Sequence, residues 1–157
     1  MPVLRLPRMN QQEIDSLIEN QMLCRIAFRG DEYPYIIPFQ YIYLSGSLYF
    51  HFTKYGKKMR LLEKDQRVCV EIEQYHPDLR EYRFVTLRGV LKVVTDPDEK
   101  IGAIKKMVEQ GEQRLSRNFL AAHGITPSDN WSSLDSDKFA VIVKLDKIVE
   151  TVALKSP

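Results

Sequence analysis

Cysteine is scarce in this chain: two thiols, Cys24 and Cys69, in 157 residues. Their spacing matches neither a zinc ligand set nor a redox pair, and their apolar neighbours mark both as buried free thiols. No apolar run reaches the length of a membrane span, since Phe84 to Val94 is interrupted by Arg88 and Lys92. Met1 to Glu13 has charges and prolines but no apolar core of a signal peptide, so a cytoplasmic location is expected. Internal repeats and low-complexity segments are lacking too. So is a dominant charge: 23 Lys and Arg against 21 Asp and Glu leave +2. A uniformly basic, duplex-coating surface is therefore a poor fit. At 44% hydrophobic and 28% charged, the chain reads as one globular domain over 1–157. It is long enough to bury a core without disulfide or metal staples.

The small net charge is unevenly placed. Between His51 and Arg67 stand Lys54, Lys57, Lys58, Arg60, Lys64 and Arg67, opposed by Glu63 and Asp65 alone. That strip carries +4, so the remainder of the chain carries −2. Two readings fit such a strip: a solvated helix face, or a local site for an anion.

Hydrophobic periodicity and turn residues divide the chain. Asn10 with Glu13 resembles a capping box, and Ile14, Leu17 and Ile18 form one face of a helix over about 11–20. Leu23 to Phe28 reads as a strand closed by Arg29-Gly30-Asp31. Tyr33 to Leu44 is extended, with Pro34 and Pro38 requiring an edge strand or a bulge. Its four tyrosines, Tyr33, Tyr35, Tyr41 and Tyr43, are expected on one face, where barrel or dimer packing explains them. After Ser45-Gly46, Leu48, Phe50 and Phe52 alternate with Tyr49, His51 and Thr53. A helix from Lys57 to about Glu63 points Met59 and Leu62 inward. Arg67 to Gln74 alternates as a half-exposed antiparallel strand. Tyr82 to Val94 is a long strand with a bend or bulge at Gly89. Asp96-Pro97-Asp98-Glu99 starts a helix whose expected buried stripe is Ile101, Ile104 and Val108. A weaker helix over Ser116 to His123, stopped by Gly124, and a polar loop from Thr126 to Lys138 precede a buried strand, Phe139 to Leu145. Six strands with short connections favour a mainly β fold: an antiparallel barrel with flanking helices.

Chemistry concentrates between Tyr49 and Val70, in YFHFTKYGKKMRLLEKDQRVCV. A strand delivers the Thr53 hydroxyl, Gly56 breaks the chain, and Lys57 and Lys58 open a helix. A helix start offers free amides and the positive end of the dipole, and two lysines add point charges for a phosphate monoester. The spaced glycines of a P-loop are missing. His76 and His123 have no ligand partners at metal spacing, so an exposed or capping role is expected and no metal site. No Cys-x-x-Cys-His haem attachment motif is present.

The run PYIIPFQYIYLSGSLYFHFTKYGKKMRLLEKDQRVCVEIE, with FVTLRGVLKVVTDPDEKIGAIKKM and FAVIVKLDKIVETVAL after it, resembles a known family. It is similar to the pyridoxamine 5′-phosphate oxidase-related FMN-binding split barrels, in particular their nitroimidazole-resistance-like flavoproteins. That resemblance implies a six-stranded split β-barrel over about 23–152 and an FMN held between the subunits of a homodimer. It assigns Lys57 and Lys58 to the phosphate and Thr53 to the hydroxyl beside it. It places His51 and Phe52 near the ribityl chain and flavin, and Ile36, Ile37, Pro38 and Phe39 along the isoalloxazine. Pro38 is expected to break regular pairing there and free neighbouring amides for the ring.

The implied activity is an FMN-dependent oxidoreductase acting on a small redox-active or nitro-bearing molecule, with His51 the catalytic candidate. The implied partners are a second copy and a small-molecule substrate, with neither nucleic acid nor membrane. The alternatives are a non-catalytic flavin-binding stress or storage protein, a pyridoxamine phosphate oxidase-like oxidase, and a strip that meets single-stranded nucleic acid. Against the second stand departures from that oxidase: no Arg at the start of the Pro-Tyr strand, no Lys at its end, a replaced Gln near Phe84, and no Arg pattern in ALKSP. Trp131 reads either as a lid over the barrel or as a partner contact.

Overall fold

The computed structural model describes residues 2–118 and 140–157. The elements are α1 (Gln11–Asn20), β1 (Leu23–Phe28), β2 (Tyr35–Gln40), β3 (Ile42–Leu44), β4 (Ser47–Thr53), α2 (Lys57–Lys64), β5 (Arg67–Tyr75), β6 (Tyr82–Val93), α3 (Pro97–Arg114) and β7 (Ala140–Lys155). Every strand pairs antiparallel, in one sheet of order β2-β1-β5-β6-β7-β4-β3. The two end strands, β2 and β3, are consecutive in the chain. The sheet curls into a half-barrel, the split-barrel architecture; α1 and α2 pack onto its inner cluster and α3 onto its outer face.

Among the described residues seven strands replace the expected six, because the extended run breaks at Tyr41. That side chain turns inward to 2% exposure. Its hydroxyl donates to Ile18 O at 2.6 Å, and its carbonyl accepts from Gln110 Nε2 at 3.0 Å. The chain thereby leaves one end of the sheet and enters the other. The four tyrosines consequently do not share a face: Tyr33 is exposed, Tyr41 is buried, and Tyr35 and Tyr43 lie on different strands.

The alternation read in β4 and β5 sorts side chains as expected. Leu48, Phe50 and Phe52 join Phe28, Val68, Val70 and Ile72 inside the barrel. Tyr49, on the opposite face, packs with Ile42, Ile142 and the Ala103, Ile104 and Met107 side of α3. Each large side chain so buried contributes roughly 1.5–3 kcal/mol of hydrophobic free energy. The buried face of α3 is rotated from the expected stripe: Ile101 is 56% exposed, while Gln110 is buried. The bond from Gln110 to Tyr41 draws a polar residue inward, which apolar spacing alone does not reveal. Leu61 joins Leu62 as a buried contact of α2, and Met59 is only partly covered.

Local signals fared well. Asn10 Oδ1 accepts from Glu13 N–H at 2.8 Å, and Glu13 Oε1 accepts from Asn10 N–H at 3.3 Å, completing the capping box. The register of β6 against β7 shifts between Arg88 and Val90, the bulge expected at Gly89. Cys24 is buried, and burial pushes its thiol up to about 12. Cys69 is only half-buried, because it lies on the outer face of β5 rather than inside. Among the described residues no helix is long and apolar enough to cross a membrane. The readings for His123, Gly124, Trp131, the 126–138 loop, Phe139 and the Ser116–His123 helix beyond residue 118 lie outside the described residues.

Candidate functional site

Two elements converge where the basic strip meets the barrel. At the end of β4, the Thr53 hydroxyl donates to Tyr55 O at 2.7 Å and ties a tight turn into α2. Gly56 caps that helix at φ +103°, a conformation that L side chains rarely adopt, and no side chain caps the helix start. The first returning bond is Arg60 N–H to Gly56 O at 3.2 Å, so the earlier amides of α2 face outward from its positive end.

The two lysines that open α2 differ in their surroundings. Lys57 Nζ lies 3.3 Å from Asp31 Oδ2 and 4.5 Å above the centre of the Tyr35 ring. Lys58 Nζ lies 4.9 Å from the Phe39 ring and 5.8 Å from the Phe52 ring. Lys58 has no carboxylate partner among the described residues. Burial against those rings holds its ammonium below the ordinary lysine range. Elsewhere in the strip, Asp65 takes up Arg67 at 2.9 Å and Arg29 at 3.7 Å. Hydrogen bonds from Arg67 hold the Asp65 carboxyl down at about 2. Asp65 is already counted within the +4; Asp31 offsets one further charge, at Lys57, while Lys58 keeps no carboxylate among the described residues.

β2 supplies the second half. It is an end strand, as Pro38 requires. The expected break at Pro38 does not occur, for the register against β1 runs unbroken from Leu23/Gln40 to Phe28/Tyr35. The reason lies in the phase of the ladder. Tyr41 N–H donates to Met22 O at 3.1 Å, so the alternation makes Arg25/Pro38 a non-bonded pair. The Pro38 nitrogen faces away from β1 and costs the ladder nothing. By the same alternation, the N–H and C=O of Ile36 and Gln40 point off the open edge of the sheet. Free amides are therefore present, but through edge position rather than disrupted pairing.

The residues singled out from the sequence are brought together in part. Thr53, Lys57 and Lys58 share the β4–α2 turn, and Phe39 lies under Lys58. Ile37 and Phe39 point into the barrel, whereas Ile36 and Pro38 lie on its outer face, so the four side chains do not share one surface. Phe52 is 1% exposed, its ring 4.9 Å from Phe39 in an edge-on contact. His51 is half-buried on the Tyr49 face of β4, opposite Ile142 and pointing away from Phe52. Tyr35 and Asp31 were missed. The i, i+4 aromatic pair Tyr35 and Phe39 on one strand face was the available signal for the first. Nothing local signals Asp31, because its partner is 26 residues away.

Solved structures with this fold include an FAD-binding protein from Mesorhizobium loti, 16% identical, covering 98% of this chain and 100% of that one with a TM-score of 0.68. A NimC/NimA family protein from Clostridium acetobutylicum is 13% identical over 92% of this chain and 90% of its own, with a TM-score of 0.57. General Stress Protein 26 from Bacillus anthracis is 15% identical over 91% and 92%, with a TM-score of 0.61. No curated protein matches the sequence. The family model described as pyridoxamine 5′-phosphate oxidase matches residues 10–139, which takes in β2, the lysine pair and the whole β4–α2 turn, and the chain belongs to that family.

Proposed function

We propose that this chain is an FMN-binding oxidoreductase of the family, working as a homodimer on a small redox-active or nitro-bearing molecule. One observation carries the cofactor: a half-buried ammonium, Lys58, without a carboxylate among the described residues, at an uncapped helix start. That arrangement leaves a positive charge and free amides to be matched by an anion, and a phosphate monoester matches both. A terminal monoester carries close to two negative charges at neutral pH, more than either phosphate of a dinucleotide bridge, which favours FMN over FAD. The open edge of β2 offers the N–H and C=O of Ile36 and Gln40 to the polar rim of a ring system. A bound flavin supplies the electron transfer; the chain binds, orients and shields it. Dimerisation is supported by the outer face of β1 and β2, where Leu23 and Ile36 are 59% and 61% exposed.

Purified protein is expected to be yellow and to release FMN on denaturation. Lys58→Ala is expected to weaken FMN binding by ten- to a hundredfold, about 1.5–3 kcal/mol for a charge-assisted contact, with the fold intact by circular dichroism. A colourless preparation that takes up no FMN, or a Lys58→Ala protein with unchanged affinity, would overturn the cofactor assignment. Catalysis is tested by anaerobic reduction followed by nitroaromatic acceptors and, separately, by supplying pyridoxamine phosphate to the oxidised protein. Reoxidation no faster than that of free FMN makes the protein a carrier. Turnover of pyridoxamine phosphate makes it an oxidase of the family's named type.

A further inference from the structure

Lys57 and Lys58 stand side by side at the start of α2, yet among the described residues only Lys57 has a carboxylate partner. The partner of Lys57 is Asp31, in the turn between β1 and β2, with 46% of the lysine side chain and 43% of the aspartate exposed. The turn is held in place from two sides. Asp31 Oδ1 accepts from Glu32 N–H at 2.8 Å. A Cβ added at Gly30 would meet Leu61 O at 2.6 Å, so the turn lies directly on α2. Asp65, at the far end of α2, is engaged by Arg67 and Arg29. Among the described residues Asp31 is thus the carboxylate paired with Lys57, and its carboxyl lies below the ordinary range through the Glu32 amide and Lys57.

We infer that Asp31 is an internal competitor for the phosphate: it occupies Lys57 until a phosphorylated ligand displaces it, and so sets both the affinity and the phosphate selectivity of the site. This rests on the phosphate assignment proposed above and adds a residue to it. An exposed ion pair is weak enough to be broken by a dianion. The carboxylate that remains then repels the phosphate across a salt-screened gap. Lys58, held against Phe39 and Phe52, provides the standing charge, and Lys57 the conditional one.

The test measures dissociation constants for FMN and riboflavin by quenching of flavin fluorescence. Asp31→Asn removes the charge and keeps an oxygen for the Glu32 amide. It is expected to tighten FMN about three- to tenfold at low salt. Riboflavin affinity stays where it was, the gain shrinks at high salt, and it is reduced when Lys57→Ala is already present. Unchanged or weaker FMN binding in Asp31→Asn, with Lys58→Ala still losing affinity, overturns the competitor and leaves the phosphate site standing. An equal gain for riboflavin overturns it too, because the effect would not act through the phosphate. A wild-type protein that binds riboflavin as tightly as FMN removes both the competitor and the site it rests on.

Discussion

The starts of α2 and α3 solve the same problem in opposite ways. Each leaves unsatisfied amides and a positive dipole end. At α3, Asp96 caps by accepting from Asp98 N–H at 3.4 Å, Pro97 removes one donor, and Asp98 and Glu99 add negative charge. At α2 the cap is a glycine, the first turn has no acid, and two lysines stand where carboxylates belong. Folding alone favours the α3 arrangement, by about 0.3–1 kcal/mol per charge. A chain that places like charge on a helix dipole and half-buries one ammonium has given up stability at that point. The difference marks the start of α2, and not that of α3, as the candidate site.

The largest effect expected from this contrast comes from Lys58→Met. The variant keeps an apolar stem against Phe39 and Phe52, replaces two cation–ring contacts with sulfur–ring contacts, and removes the uncompensated charge. Two readouts should move oppositely. FMN affinity falls at least tenfold, while urea unfolding of the ligand-free protein gains about 0.5–1 kcal/mol. The sign at high pH checks the cause. The folded-state pKa of Lys58 lies below the ordinary 10.5, so the cost is present at neutral pH and disappears as pH rises through that interval. A Lys58→Met protein less stable than wild type at pH 7 would remove the contrast. Next in size is Asp96→Ala at the other helix start. It is expected to cost about 0.5–2 kcal/mol of stability and to leave FMN affinity unchanged. Weaker FMN binding in that variant would mean the two starts are not separate in function.

Local chemistry made most of the fold legible. The Asn10/Glu13 box, the Asp96-Pro97 start, the alternation of β4 and β5 and the Gly89 bulge each depend on neighbours a few residues apart. What stayed hidden depends on partners far along the chain. The break at Tyr41 is set by Ile18 and Gln110, and the rotation of α3 by the same Gln110 bond. In the site, Gly56 and the lysine pair were readable as a helix start with the wrong charge. The difference between the two lysines was not, because Asp31 arrives from another turn and the aromatic rings from two other strands. Pro38 shows a third case. The break expected there is absent, and the reason is the ladder phase, which the pairing of Tyr41 with Met22 fixes.

The smallest expected effect lies at Glu99, and it places the two helix starts at opposite ends of the pH scale. Glu99 Oε1 accepts from the Tyr49 hydroxyl at 2.7 Å and from Lys144 Nζ at 3.0 Å, which joins the first turn of α3 to β4 and β7. The Tyr49 bond, then Lys144, holds its carboxyl below the ordinary 4.5. A depressed carboxyl adds stability above the unfolded-state value and loses it as pH falls through the folded-state one. Glu99→Gln should therefore cost about 0.2–1 kcal/mol at pH 7, the scale of a partly exposed ion pair. The gap between variant and wild type, read as the difference in urea midpoint, should close as pH drops below 4.5. A gap that persists at acid pH would mean Glu99 acts by shape, not charge. Closure at acid pH for Glu99 and at alkaline pH for Lys58 would show α3 stabilised by its charges and α2 destabilised by one of its own.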